Sequence, residues 1–264
     1  MYDFPHTPFF TSTCQRLLHP GWRTGPQMAF GSTGGKPYNS AVMIDSKTCK
    51  VIACATVIEE MLPLMPPQMN YEVLPFGLHS NPEKMRTALQ NAIDSSSSNV
   101  RTILLGLSLC AKSVVGLRSD RHTLIIPKAD DCITIFLGSV AQYQEQQRNE
   151  PGTLYLTKGW IESGTPLDEQ REIMVKKYGE QKAGFLFKKM LHGYKRLAFI
   201  NTGNYELERY RIRSQQIAQR LELRFEEVQG NNSLVKKLLN GPWDDEFVVA
   251  SPGHTVMLTD FMKL

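Results

Sequence analysis

Three cysteines stand where chemistry could be built. Cys54 closes the apolar run Val51-Ile52-Ala53, Cys110 follows Leu107-Ser108-Leu109, and Cys132 follows the acidic pair Asp130-Asp131. A thiolate is both a nucleophile and a soft metal ligand. Cys132 is placed to open a helix, whose exposed N–H groups and dipole favour the ionised thiol. Three thiolates converging from separate loops would make a metal site with one position left open. Each cysteine taken alone reads first as a small core residue, because free cysteine is among the most buried residue types. No pair has CxxC spacing, so the shared address at strand ends carries the reading, not a local motif.

Other candidates gather around the same ends. His79, in Pro75-Phe76-Gly77-Leu78-His79, follows an apolar run, and His254, in Ser251-Pro252-Gly253-His254, follows the last one. A lone imidazole is as often a loop polar group as a site residue. Arg118, Lys128 and Asp131 join them as groups that would meet a small-molecule substrate. His122 reads as a surface residue ahead of a strand. No G-x-x-x-x-G-K-[ST] loop and no G-x-S-x-G turn occurs, which disfavours nucleotide hydrolysis and the serine-elbow hydrolases. The alternation of Arg209, Arg211, Arg213 and Arg220 with Glu206, Glu208 and Glu222 reads as a solvated helix face.

The elements that must position these residues alternate short apolar runs with amphipathic stretches. That is the pattern of βαβ units and a parallel sheet. Strands are predicted at Val51–Ala55, Tyr71–Pro75, Arg101–Leu109, Thr123–Pro127, Thr153–Thr157, Leu197–Asn201, Phe225–Gln229 and Glu246–Ala250. Helices are predicted at Val57–Leu62, Pro82–Ser95, from Asp130 or Asp131 to about Arg148, and at Leu167–His192, Tyr205–Leu221 and Ser233–Leu239. The fold class is α/β, a Rossmann-like parallel sheet. A first half over 48–162 carries the cysteines and a second spans 163–264, the two expected as similar lobes facing a cleft. Residues 1–47, rich in Gly, Pro, Ser and Thr and without an acidic residue between Asp3 and Asp45, read as a poorly ordered extension. Ligands in open α/β sheets bind beyond the carboxyl ends of strands.

Composition bounds the rest. The 264 residues are 41% hydrophobic and 21% charged, the proportions of a folded globular chain. Thirty basic against 26 acidic residues give a net charge of +4, too balanced to mark a nucleic-acid binder. Apolar runs are strand-length, short of the ~20 residues of a membrane helix. Five cysteines without a secretory signal point to reduced thiols and a cytoplasmic setting.

The stretch Leu74-Pro75-Phe76-Gly77-Leu78-His79 with Asn81-Pro82-Glu83-Lys84 resembles the bacterial and archaeal domain-of-unknown-function family 1638. The likeness runs on through Ile103-Leu104-Leu105-Gly106 to Cys110, Asp131-Cys132-Ile133, Leu137-Gly138-Ser139, Pro151-Gly152-Thr153, Gly159-Trp160-Ile161-Glu162 and Ile200-Asn201-Thr202-Gly203. The resemblance implies cysteines at the positions of Cys54, Cys110 and Cys132, with glycine after the first two, where Ala55 and Ala111 stand here. Members are common in anaerobes, some beside corrinoid methyl-transfer proteins. The expectation is therefore an enzyme, a lyase or transferase, with a [4Fe-4S] cluster, or alternatively zinc, on the three cysteines. The rival is a non-catalytic metal-binding or accessory protein serving corrinoid or one-carbon metabolism, with a corrinoid or methyl-transfer protein as partner.

Overall fold

The computed structural model describes residues 45–163 and 166–262. The extension read over 1–47 lies outside these residues except for its last three, as does Cys14. In chain order the elements are β1 (Cys49–Cys54), α1 (Ala55–Met61), β2 (Asn70–Leu74), α2 (Pro82–Asp94), β3 (Thr102–Gly106), β4 (Thr123–Pro127), α3 (Cys132–Leu137), α4 (Val140–Asn149) and β5 (Thr153–Leu156). Then follow α5 (Lys158–Glu162), α6 (Pro166–Tyr178), α7 (Glu180–Met190), β6 (Arg196–Asn201), α8 (Glu208–Arg220), β7 (Arg224–Gln229), α9 (Ser233–Asn240) and β8 (Phe247–Ala250). No helix among the described residues is long and apolar enough to cross a membrane.

The protein is α/β with two sheets. The larger has the order β2-β1-β3-β4-β8 and the smaller β5-β6-β7. β1, β3 and β4 are parallel neighbours, and Val51, Ile52, Ile103, Leu104 and Ile125 are fully buried, as expected of strands covered on both faces. Sequence order reverses at β1, which lies between β2 and β3, so the crevice of a topological switch point opens at the end of β1. β8 pairs antiparallel with β4, from Leu124 opposite Ala250 to Pro127 opposite Phe247. The smaller sheet therefore begins with β5, and the last strand returns to the larger one.

Three predicted elements are shorter than expected, each for a local reason. The third strand ends at Gly106, because residues 107–110 leave β4 and the Leu109 and Cys110 N–H groups donate to Ala129 and Asp130 carbonyls, both at 3.0 Å. The helix expected to Arg148 breaks at Gly138, left-handed at φ 87°, after which Ser139 caps α4 by accepting from the Gln142 N–H. The long second-half helix breaks likewise at Gly179, φ 76°.

The carboxyl ends of both sheets meet at α1. Thr202 and Asn204, in the loop after β6, donate hydrogen bonds to the Glu60 carboxylate, and Asn204 and Asn232 exchange a reciprocal pair at 2.9 and 2.8 Å. α5, following β5, lies so close that a Cβ on Gly159 would sit 2.6 Å from the Thr56 Cα. Gly159→Ala should therefore cost about 1–3 kcal/mol by overpacking backbone against backbone. Gly184→Ala, in α7 with open space around it, should instead gain about 0.5–1 kcal/mol from helix propensity. Denaturant midpoints of the two variants measure this contrast; equal midpoints would remove α1 and α5 as a tight joint.

Candidate functional site

Cys54 is both the last residue of β1 and the N-cap of α1, and it is completely buried. Its partner comes from the next strand. β2 runs beside β1 with Leu74 opposite Cys54, and the chain then makes the 3₁₀ turn Phe76–Ser80, which delivers His79 to the sulfur. Burial alone would raise the Cys54 thiol. The His79 imidazole, the Thr56 hydroxyl at 3.1 Å and the Val57 N–H together outweigh it and hold the thiol below its ordinary value. His79 moves the opposite way: burial pushes its pKa down, but the charge of Cys54 beside it prevails and raises it. Each group thus favours the charged form of the other.

Aromatic rings hold the imidazole in place. Phe76 lies 5.2 Å and Trp160 5.8 Å from it between ring centroids, while Phe76 and Trp160 meet edge to face at 5.3 Å. His79 Nε2, Trp160 Nε1 and Thr157 Oγ1 are buried and have no hydrogen-bond partner among the described residues, whereas buried polar atoms are paired in nine cases of ten or more.

The other two cysteines share this environment. Burial first, then the charges of Cys132 and Cys54, push the Cys110 thiol far up. Cys132, the first residue of α3, is also completely buried. The loops after β3 and β4 are zipped by the two backbone bonds from Leu109 and Cys110. Cys110 thus feels the charges of Cys132 and Cys54, and Cys54 that of His79. Three thiols and an imidazole suit a thiophilic metal by donor type. Among the described residues, however, no three His, Cys, Asp or Glu side chains are grouped so as to hold a metal ion.

The family described as "Protein of unknown function (DUF1638)" matches residues 73–239. The chain belongs to this family. No curated protein and no solved structure matches it. The DUF1638 match contains His79, Cys110, Cys132 and Trp160; Cys54 and His254 lie outside it.

Of the remaining candidates, Asp131 immediately precedes Cys132, and Lys128, His254 and Arg118 make other contacts. Asp131 caps α3, accepting from the Ile133 and Thr134 N–H groups at 3.0 and 3.4 Å, and burial pushes its carboxyl up to about 8. Lys128 and His254 line a cleft of about 670 Å³ along β8 that includes none of the three cysteines, and His254 Nε2 is 2.9 Å from Asp260. Arg118 pairs with Asp120 at 2.7 Å and is half exposed. His122, read as a surface residue, is buried, its Nδ1 2.8 Å from the Val100 carbonyl oxygen. Sequence reasoning did not single out Thr56, Thr157 or Trp160. The available signal was their position just beyond the ends of β1 and β5.

The Cys110 loop is strained. Cys110, Ala111 and Lys112 have φ of 37°, 59° and 68°, three consecutive non-glycine residues in the left-handed region. Such backbone costs about 1–2 kcal/mol per residue and gathers at functional sites. DUF1638 resemblance places glycine at the position of Ala111, which fits that φ. Ala111→Gly should stabilise the protein by about 0.5–1 kcal/mol, and Ala111→Val should destabilise it. Thermal unfolding of both variants reads this; a glycine variant that melts lower would contradict the left-handed loop.

Proposed function

We propose that the chain is an enzyme whose reactive group is the Cys54 thiolate, ionised by His79 and acting on a small molecule. The observation that carries this is a completely buried cysteine at the carboxyl end of β1 whose sulfur meets the His79 imidazole and the Thr56 hydroxyl, contacts that favour the ionised thiol. Burial opposes charge, so an ion pair kept out of water persists only where the surroundings are built to hold it. Such perturbed groups cluster at functional sites, and this one lies at the switch point of a parallel sheet. A thiolate paired with an imidazolium is the ordinary form of a cysteine nucleophile, with the imidazole available to move the proton.

A second reading is favoured by the upward push that Cys132 and Cys54 exert on Cys110. Like charges crowded in one pocket are relieved by a cation. Cys54, Cys110 and Cys132, with His79 beside them, would hold a [4Fe-4S] cluster or zinc. When bound with a position open, such a centre supplies Lewis acidity toward a substrate oxygen. A corrinoid or methyl-transfer protein partner belongs to this reading.

Peptide-resolved alkylation by iodoacetamide across pH tests the first reading. A lowered pKa keeps the thiolate populated as pH falls, so Cys54 should react at pH values where an ordinary thiol is protonated. His79→Gln removes the favourable partner and leaves the burial, so the Cys54 profile should move to higher pH. Cys49, pushed up to about 11 by burial and Asp45, serves as the internal contrast. An ordinary Cys54 profile that His79→Gln does not move would sink the thiolate. Iron with sulfide, or zinc, in protein purified without oxygen, and lost from each Cys→Ala variant of the three, would favour the second reading.

A further inference from the structure

The excess positive charge of the chain sits in one short stretch. From Ile173 to Met190, over the end of α6 and all of α7, five lysines stand against one acid, Glu180, a local balance of +4. Set aside, they leave 25 basic residues of the 30 and 25 acidic residues of the 26, so the whole net charge of +4 is local. Glu180 is taken by Arg171, and Lys188 lies 3.5 Å from Glu222, which leaves Lys176, Lys177, Lys182 and Lys189 without an ion pair among the described residues. Spacing puts these four on two faces that meet. Ile173, Lys176 and Lys177 follow the i, i+3, i+4 pattern of one face of α6, and Lys182, Phe185 and Lys189 the i, i+3, i+7 pattern of one face of α7. The Tyr178 ring joins the faces, with the Lys177 ammonium 5.2 Å and the Lys182 ammonium 5.3 Å from its centroid, and the Lys189 ammonium lies 5.2 Å from that of Phe185. Phe185 is 61% exposed, Ile173 46% and Tyr178 39%, and a Cβ on the adjoining Gly184 would meet nothing within 4 Å. The helix pair is held to the smaller sheet instead by Leu167, Phe187 and Met190.

We propose that this face docks the protein on an anionic lipid surface, the lysines meeting headgroup phosphates and carboxylates while Phe185, Tyr178 and Ile173 enter the interfacial layer. Basic side chains beside exposed aromatic and aliphatic ones suit the boundary between headgroups and acyl chains, and each lysine near such a surface is attracted by its negative potential. Charge names the sign of the partner, and residue type its class. The stretch from Ile173 to Met190 contains no arginine, whereas protein interfaces are enriched in arginine and depleted of lysine. Nucleic-acid phosphates favour the arginine fork, and base stacking would leave Ile173 unused. Lysine is a point charge that suits a diffuse field, and its apolar stem lets the ammonium reach headgroups above a buried ring. The docking does not depend on the chemistry of Cys54.

The test is sedimentation of the full chain in about 0.1 M salt with phosphatidylcholine vesicles containing about 30% phosphatidylserine, against vesicles of phosphatidylcholine alone. Binding to the anionic vesicles should be at least about 10-fold tighter, and about 0.5 M salt should remove most of the difference. Lys177→Gln, Lys182→Gln and Lys189→Gln together should weaken binding about 100-fold, about 5-fold for each lysine. Phe185→Ser should weaken it about 10-fold by removing the inserted ring. All four side chains are exposed, so the variants should keep the wild-type fold. Lys47→Gln, Lys84→Gln and Lys236→Gln together remove the same charge from the entry to β1, α2 and α9, and should leave binding within about 2-fold. No preference for anionic vesicles, or an equal loss with this second triple, overturns the proposal. Full binding by Phe185→Ser overturns the insertion of the ring. Tighter binding of a single-stranded oligonucleotide than of the vesicles, lost with the first triple, would make the face a nucleic-acid surface and overturn the lipid partner.

Discussion

The completely buried Cys54 sulfur and the His79 imidazole meet at the point where the strand order of the larger sheet reverses. Their attraction must exceed two desolvation costs, and it does so only while β1 and β2 stay in register, because that pairing places Leu74 opposite Cys54 and the His79 turn just beyond it. The remaining contacts of the region serve this geometry. Phe76 and Trp160 wall the imidazole, Thr56 supplies a hydroxyl to the sulfur, and the first turn of α1 brings the Val57 N–H to it. A cysteine in this position without His79 would be an ordinary protonated core residue, as Cys110 is.

The smaller sheet matters because it fixes α1 from the other side. Glu60, fully buried, accepts from Thr202 and Asn204, and burial raises its carboxyl despite those bonds. Gly159 lets α5 close on Thr56. α1 is only seven residues long and would not hold its shape in isolation. Its position, and with it the direction of the Cys54 sulfur, depends on contacts to residues more than a hundred positions away in sequence. Trp160 reaches the His79 ring through the same joint.

Much of this was legible before the structure. The near-continuous apolar runs Val51-Ile52-Ala53, Ile103-Leu104-Leu105 and Leu124-Ile125-Ile126 announce buried parallel strands, and these three are neighbours in the larger sheet. The helix breaks at Gly138-Ser139 and Gly179 carried ordinary stop and start residues, and the longer amphipathic pattern masked them. The antiparallel sense of β8 was not legible, since a four-residue apolar strand carries no mark of its direction. Nor was the contact between Cys54 and His79. The helix-start argument pointed to Cys132, whereas the decisive partner is an imidazole 25 residues away along the chain, matched to its sulfur by strand pairing. The packing of Trp160 on His79 depends on docking between sheets, which no local pattern records.

The protonation state of the His79 ring tests the central claim most directly. Nitrogen NMR of selectively labelled protein should show both ring nitrogens of His79 protonated at a pH above the ordinary histidine value, and Cys54→Ser should return the ring to its neutral form under the same conditions. A neutral His79 ring in the wild-type protein, unchanged by Cys54→Ser, would contradict the ion pair and the account built on it.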